Sequence, residues 1–363
     1  MIGVLTAAFV LGISFLSKHV DGSATMFTGG YFHVGVALGW LVCAGLIALI
    51  VTRYLHIVAS VDEGPGLAVG YDALPILLLA AWVVTIAALV TRHWLLGAIA
   101  AALCGYHVAI VVPRFLAARV PGWAKRAPTL EIVVANVFID NKTPDAAARQ
   151  LVTMPVDVVI VVESTDAFMA VFDEAGGKDT YPHRVSDPND HSDYAVTVAC
   201  KRELGPRSRM TTIGPLRLAI ADVDVEGIGT LVIGLNPMAA VDPGGMETWK
   251  EQIEALKEFI PTLSGPVIIA GDLNTTRYRP EFEELLELGL RDAIDSLGKG
   301  LDPSFKLGAD GLLGAAPVAR LDHALVNDCV FPLSMEDLEP CGSDHQPFKL
   351  KVAARRTASK EGR

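Results

Sequence analysis

The chain has 363 residues, 51% of them hydrophobic and only 20% charged, with a mean hydropathy of +0.41, a balance that argues against a purely soluble globular protein. Its formal net charge of −11 is unevenly held: residues 1–128 carry seven Lys and Arg against four Asp and Glu, while residues 129–363 carry 23 against 37, a net −14. Non-specific nucleic-acid binding draws its affinity from Lys and Arg neutralising phosphates, so the acidic back half argues against it.

The apolar excess lies in the first third. Three runs, Val34–Val51, Ala73–Val90 and Trp94–Val112, contain no Asp, Glu, Lys or Arg. Each approaches the length needed to cross about 30 Å of hydrocarbon at about 1.5 Å per residue. A fourth run, Met1–Leu16, is apolar but short and lacks the basic flank of a signal peptide, so three or four spans are expected within residues 1–113. His107 lies inside the last run without an ionisable partner nearby in sequence, and a helix–helix hydrogen bond is its expected role. Residues 114–128 read as a basic juxtamembrane linker, with Arg114, Arg119, Lys125 and Arg126. The five cysteines form no framework: Cys43 and Cys104 lie in apolar runs, and Cys200, Cys329 and Cys341 have no paired or metal-ligand spacing.

From Thr129 to Val352 short β-branched runs alternate with helical patterns, which predicts an α/β domain, with a polar, disordered tail over 353–363. Trp249, Ile253, Leu256 and Ile260 recur at helical spacing, and Pro280 opens a second helix over Glu281–Leu290. The strands are informative for the polar residues at their ends. Ile132–Ala135 ends at Asn136, and Val158–Val162 ends at Glu163. Val267–Ala270 runs into Gly271-Asp272-Leu273-Asn274. A strand around Leu321 carries Asp322 and His323, and Ser343-Asp344-His345-Gln346-Pro347 precedes the last strand, Phe348–Val352. An Asn or Asp after a strand is usually a turn or cap residue. Glu163 is harder to dismiss, because a carboxylate ending a five-residue aliphatic run is costly to bury unless paired or metal-bound.

Taken together, in this order, these residues resemble the endonuclease/exonuclease/phosphatase superfamily, whose members include deoxyribonuclease I-like nucleases, inositol polyphosphate 5-phosphatases and neutral sphingomyelinases. The resemblance implies a four-layer α/β sandwich, two packed β-sheets flanked by helices, behind an N-terminal α-helical transmembrane region. It also implies a hydrolase of phosphate esters or anhydrides that uses Mg²⁺ or Mn²⁺. By resemblance Glu163 is the principal metal ligand, with Asn136 and Asp344 in support. Asp272 would orient and deprotonate the attacking water, Asn274 would donate to a phosphoryl oxygen, and His345, kept protonated by Asp322, would stabilise developing negative charge. Asp140 is an outer contact or simply a turn residue.

One position departs from the pattern. Many members carry a His after the strand that here reads Thr230–Leu235, where this chain has Asn236-Pro237. An amide cannot act as an acid, so the leaving group needs less protonation, the role moves elsewhere, or the domain binds phosphate without turning it over. His183, His191 and Asp193 lie in the intervening polar stretch as substrate contacts or solvated residues. The one basic run, Lys201, Arg202, Arg207 and Arg209, lacks interleaved aromatics. Membrane lipids and lipid-linked phosphates, pyrophosphates or phosphodiesters therefore lead as partners and substrates, with a membrane-tethered nuclease second. The resemblance extends to a membrane-anchored bacterial branch that acts on polyprenyl pyrophosphate carriers and places its catalytic domain outside the cytoplasm. The basic residues after the last span argue for the opposite, cytoplasmic side. The short Thr91-Arg92-His93 link suits an inner-face turn, and the expectation leans to a multi-pass protein with its domain on the outer face.

Overall fold

The computed structural model describes residues 28–59, 64–187, 192, 194–240, 242–306 and 317–356. Of the tail expected to be disordered over 353–363, Ala353 and Ala354 instead complete the last strand, paired with Thr129 and Val330, and 357–363 lie outside the described residues, as do the expected first span Met1–Leu16, His191 and Asp193. The chain divides into two compact units, Met1–Val112 and Pro113–Arg363.

The first unit is helical: α1 (Thr28–Ala59), α2 (Pro65–Asp72), α3 (Leu74–Leu77), α4 (Leu79–Val90) and α5 (Trp94–Val111). Two segments, His33–Ile57 and Trp94–Phe115, are long and apolar enough to cross a membrane. The run expected as a span over 73–90 is helical from Leu74 to Val90, with a sharp bend at its start. Pro65–Asp72 and Leu74–Val90 meet at 68°, and the turn falls just before Pro75, which offers no N–H to the preceding turn and disfavours helical geometry in the residue ahead of it. Leu46, Leu78, Ala81, Ala100 and Cys104 form a small core, while Leu41, Ile86 and Leu95 stay exposed. Helices that are apolar on both inner and outer faces suit a lipid surrounding. The Trp82 indole N–H donates to His107 Nδ1 at 3.0 Å, which gives His107 the helix–helix hydrogen bond expected of it.

The second unit is a sandwich of two six-stranded mixed sheets. The first has the order β11-β12-β1-β2-β4-β3, with β1 (Thr129–Asn136), β2 (Val158–Val162), β3 (His183–Val185), β4 (Val196–Cys200), β11 (Val330–Asp337) and β12 (Phe348–Ala354). The second has the order β5-β6-β7-β8-β10-β9, with β5 (Arg209–Ile213), β6 (Leu216–Val225), β7 (Ile228–Leu235), β8 (Val267–Asp272), β9 (Arg291–Asp292) and β10 (Asp322–Val326). Side chains alternate across a strand, and both faces here are covered. Leu130, Ile132 and Val134 of β1 and Val158, Ile160 and Val162 of β2 face the second sheet. Their alternates Val133, Ala135, Val159 and Val161 meet Ala148 and Leu151 of α6 (Pro144–Thr153) and Phe168 and Phe172 of α7 (Asp166–Glu174). Burial on this scale contributes roughly 1.5–3 kcal/mol for each large aliphatic side chain, which is why five consecutive β-branched residues form a central strand.

The remaining helices are α8 (Gly177–Thr180), α9 (Pro243–Phe259), α10 (Pro280–Glu287) and α11 (Ala293–Leu297). Helix α9 buries Met246, Trp249, Ile253 and Leu256. Its Trp249 indole N–H donates to Leu273 O at 3.0 Å, directly behind the Asp272-Leu273-Asn274 turn. The segment expected as a linker, 114–128, is tied to this unit. Ala118 N–H donates to Ser296 O and Gly300 N–H to Arg114 O, each at 2.8 Å, and Arg114 pairs with Asp295 at 2.6 Å. Gly298, at φ +67°, ends α11 in the left-handed region, and a Cβ there would meet the Ala117 backbone N at 2.4 Å.

Candidate active site

Strand pairing brings the chemistry together. β1 and β2 run parallel with Asn136 opposite Val162, so Asn136 and the following residue Glu163 emerge side by side. β8 and β10 run antiparallel with Asp272 directly opposite Asp322. Gly271 at φ +154° is required at this point, because a Cβ there would lie 2.0 Å from Leu235 O of the neighbouring β7. Two further turns use left-handed backbone without glycine: Glu163 has φ +59° and Asn274 has φ +50°. A non-glycine residue pays about 1–3 kcal/mol for such a conformation and keeps it where the surroundings over-determine it.

Asn136 joins the two sheets. Its Nδ2 donates to Glu163 Oε1 at 2.9 Å and to Asp272 Oδ2 at 3.1 Å, while its Oδ1 accepts from Phe138 N–H. The other carboxylate oxygen of Glu163 accepts from Ile139 N–H at 2.6 Å. Burial raises the Glu163 carboxyl above its usual range, against the hydrogen bonds from Asn136 and Ile139. Asp272 is 2% exposed, and burial pushes it up to about 6 despite the neighbouring His345; Asp322 adds to the rise.

His345 lies between two carboxylates, with Nδ1 2.8 Å from Asp322 Oδ2 and Nε2 3.5 Å from Asp272 Oδ2. Burial would depress its pKa, but Asp322 and Asp272 outweigh burial and raise it to about 10, so the ring is an imidazolium at neutral pH. The same interaction holds the Asp322 carboxyl below its usual range in spite of burial. Asp322 Oδ2 also accepts from the Ser304 hydroxyl at 2.6 Å, and the Phe305 ring packs on His345 at 5.0 Å between centroids. Behind the ring, His345 N–H donates to Ser343 Oγ, which donates in turn to Asn136 O at 2.7 Å.

The structure thus gathers Asn136, Glu163, Asp272, Asp322 and His345 into one hydrogen-bonded set. Asp344 adds a carboxyl raised by burial, and its Oδ1 is buried without a hydrogen-bond partner. Asn274 is committed differently from the expected phosphoryl contact. Its N–H donates to Asp272 Oδ1 at 2.8 Å and its side-chain Nδ2 to Pro237 O at 2.9 Å, so it braces Asp272 and the turn that carries Asn236. Asn236 is 4% exposed just beyond β7. Asp140 is exposed in the turn after β1, and His183 begins the edge strand β3 opposite Cys200 rather than lying in a loop. The basic run is occupied within the domain. Arg207 makes two bonds to Asp222 and one each to the Gly229 and Ser264 carbonyls, and Arg202 pairs with Asp157 at 2.9 Å. Sequence reasoning did not find Ser304 or the left-handed turn at Glu163; neither has a local signal in the chain.

Divalent-cation chemistry fits this donor set. Glu163 is a half-buried carboxylate held by neutral donors alone, and Asp344 has an orphaned oxygen. Four carboxyl groups, Glu163, Asp272, Asp322 and Asp344, interact with the single imidazolium of His345. A hard cation with oxygen ligands would balance such a set. Among the described residues Asp272, Asp322 and His345 also offer ligand atoms within 4.8 Å of one another. The His345 Nδ1–Asp322 bond engages two of these three, as the Asn136 and Ile139 bonds engage both carboxylate oxygens of Glu163.

Residues 133–345 match the model of the Endonuclease/Exonuclease/phosphatase family. No curated protein sequence matches. Among solved structures, a humanized D. rerio TDP2 is similar at 18% identity with a TM-score of 0.51, covering 62% of this chain and 99% of that one. D. rerio TDP2 complexed with a single-strand DNA product gives 19% identity and a TM-score of 0.50 over 62% and 99% of the two chains. Sphingomyelinase C from Streptomyces griseocarneus gives 17% identity and a TM-score of 0.45 over 63% and 100%. At these identities the TDP2 likenesses speak for the fold.

Proposed function

Since the chain belongs to the endonuclease/exonuclease/phosphatase family, whose members hydrolyse phosphodiester bonds, we propose that it is a membrane-anchored, Mg²⁺- or Mn²⁺-dependent phosphohydrolase acting on lipid-linked phosphate esters or pyrophosphates. The observation that carries the reading is the bridge from Glu163 through Asn136 to Asp272, set beside the Asp322–His345 pair. Glu163, Asn136 and Asp344 would hold the cation, which when bound neutralises charge on the phosphoryl oxygens.

The chain's own groups supply the rest. Asp272, raised to about 6, is a base at neutral pH with enough proton affinity to take a proton from an attacking water. His345 presents an N–H on the Asp272 side as a donor to charge developing on phosphorus-bound oxygen, and Asp322 fixes the ring's orientation. Asn236 cannot protonate a leaving oxygen. A pyrophosphate, whose leaving group is itself a phosphate that carries its charge readily, makes the least demand for an acid there.

Three observations support the lipid assignment over nucleic acid. Two helices are long and apolar enough to span a bilayer, or three if the bent pair is one span. The residues from 129 onward carry a net −14, and the Arg202 and Arg207 guanidiniums are consumed in internal pairs. We also place the domain on the outer face of the membrane, in line with the polyprenyl pyrophosphate branch it resembles.

The test is phosphate release by the purified full-length protein in detergent with Mg²⁺ or Mn²⁺, offered polyprenyl pyrophosphate, phospholipids, inositol phosphates, plasmid DNA and single-stranded DNA. Release from a lipid phosphate, with DNA left intact, is expected. DNA cleavage that falls steeply between about 50 and 200 mM salt would replace this reading with the nuclease. Binding of the same compounds without turnover would make the domain a phosphate-binding module.

A further inference from the structure

A second buried imidazole–carboxylate pair lies behind the first. Asp322 and His323 are consecutive in β10, so their side chains leave opposite faces of the strand. Asp322 turns to His345, and His323 turns away, under the Phe282 ring at 4.6 Å between centroids. There His323 Nδ1 lies 3.0 Å from Asp292 Oδ2, and both residues are almost fully buried, at 1% and 2% exposure. Its Nε2 lies 3.2 Å from two backbone carbonyls, those of Thr275 and Arg320.

The partners decide the ring's state. A carbonyl oxygen only accepts, so Nε2 carries a proton shared between Thr275 O and Arg320 O. Asp292 Oδ1 is already an acceptor, for Ile294 N–H at 3.2 Å, and in spite of burial the His323 imidazole holds this carboxyl below its usual range. The two carbonyls are well placed to matter. Thr275 follows Asn274, whose N–H holds Asp272, and Arg320 precedes by two residues the carboxylate that orients His345. Both strands leave the sheet here, and Leu273 N–H donates to Leu321 O at 2.9 Å between them.

We propose that His323, oriented by Asp292, is a positioning residue whose Nε2–H clamps the Thr275 and Arg320 carbonyls and so fixes the spacing between Asp272 and the Asp322–His345 pair. The activity arm of its test rests on the phosphohydrolase reading above; the second arm does not. Two substitutions separate clamp from packing. His323→Gln places an amide nitrogen near the position of Nε2 and keeps a donor for the carbonyls. His323→Asn places its amide near Nδ1 and keeps only the contact with Asp292. Asp292→Asn and Asp292→Leu repeat the contrast without touching the ring: the amide donates to Nδ1 and leaves the proton on Nε2, whereas leucine releases the ring.

In full-length protein, His323→Asn and Asp292→Leu are expected to lower kcat by about 10- to 100-fold with KM within about threefold of the parent, as misplacement of a catalytic group does. His323→Gln and Asp292→Asn should stay close to the parent. Deuterium uptake over 272–277, followed by mass spectrometry on the same detergent preparations without substrate, should rise in the first pair alone. If the parent hydrolyses nothing, the phosphohydrolase reading fails while the exchange data still decide on the clamp. Equal exchange in all four variants and the parent would overturn the clamp, as would His323→Gln falling as far as His323→Asn.

Discussion

Asp272→Asn is expected to lower kcat by about 10²–10⁴-fold, the range typical of a lost general base, with KM little changed. The carboxylate is almost fully buried and interacts with Asn136 Nδ2, Asn274 N–H and the His345 imidazolium. The amide retains an acceptor for Asn274 N–H but turns an NH₂ toward Asn136 or His345, both donors, and cannot take a proton from water. Burial already disfavours the charged form of Asp272, which offsets part of the cost of opposing these donors. A folded variant with a melting temperature within about 5 °C of the parent's is therefore expected to accompany the loss of activity. Activity and melting measured on one preparation check both halves. Near-parental kcat would remove Asp272 from the chemistry.

Asp322→Asn is the second large effect, and its signature is a displaced pH profile. In the parent, activity should rise as pH passes about 6, where Asp272 loses its proton, and fall near 10, where His345 loses its own. The limbs belong to the coupled set as much as to single residues. Burial lowers the His345 pKa, and Asp322 is first among the groups that raise it. Without that carboxylate the imidazolium deprotonates at lower pH and the alkaline limb moves down. Asp322 also raises Asp272, so the acid limb moves in the same direction. At pH 8 the variant should lose about 10²-fold or more in kcat and recover part of it on acidification. General damage to the fold would scale the profile without moving it, so profiles measured from pH 5 to 10.5 distinguish the two.

Asn136, Glu163 and Asp272 were legible in the chain because each ends or closely follows a short run rich in β-branched residues, while Asp322 and His345 stood out by their place in the order that resembles the family. Asn136, Glu163, Asp272, Asp322 and His345 accordingly meet in the structure. Their partners were not legible. Ser304 is 18 residues from Asp322 and reaches it through its backbone pairing with Ala319, and Asp292 is 31 from His323 and reaches it where β9 lies beside β10. The left-handed turns at Glu163 and Asn274 carry no glycine to announce them. The commitment of the Asn274 amide to Pro237 O depends on β7 and β8 being parallel neighbours, which no local pattern specifies. In the first unit the apolar run over 73–90 signalled helix, but Pro75 near its start gave the bend a local cause that composition alone passes over.

The measurement that bears most directly on a metal-dependent hydrolytic site is turnover by the full-length protein before chelation, after EDTA, and after return of Mn²⁺, with Glu163→Gln carried through the same steps. Glu163 as principal ligand predicts that EDTA abolishes phosphate release, that Mn²⁺ restores it, and that the Gln variant needs about 10- to 100-fold more Mn²⁺ for half-maximal release. Release that persists through chelation, or a variant that regains activity at the parent's Mn²⁺ concentration, would contradict the assignment of this site.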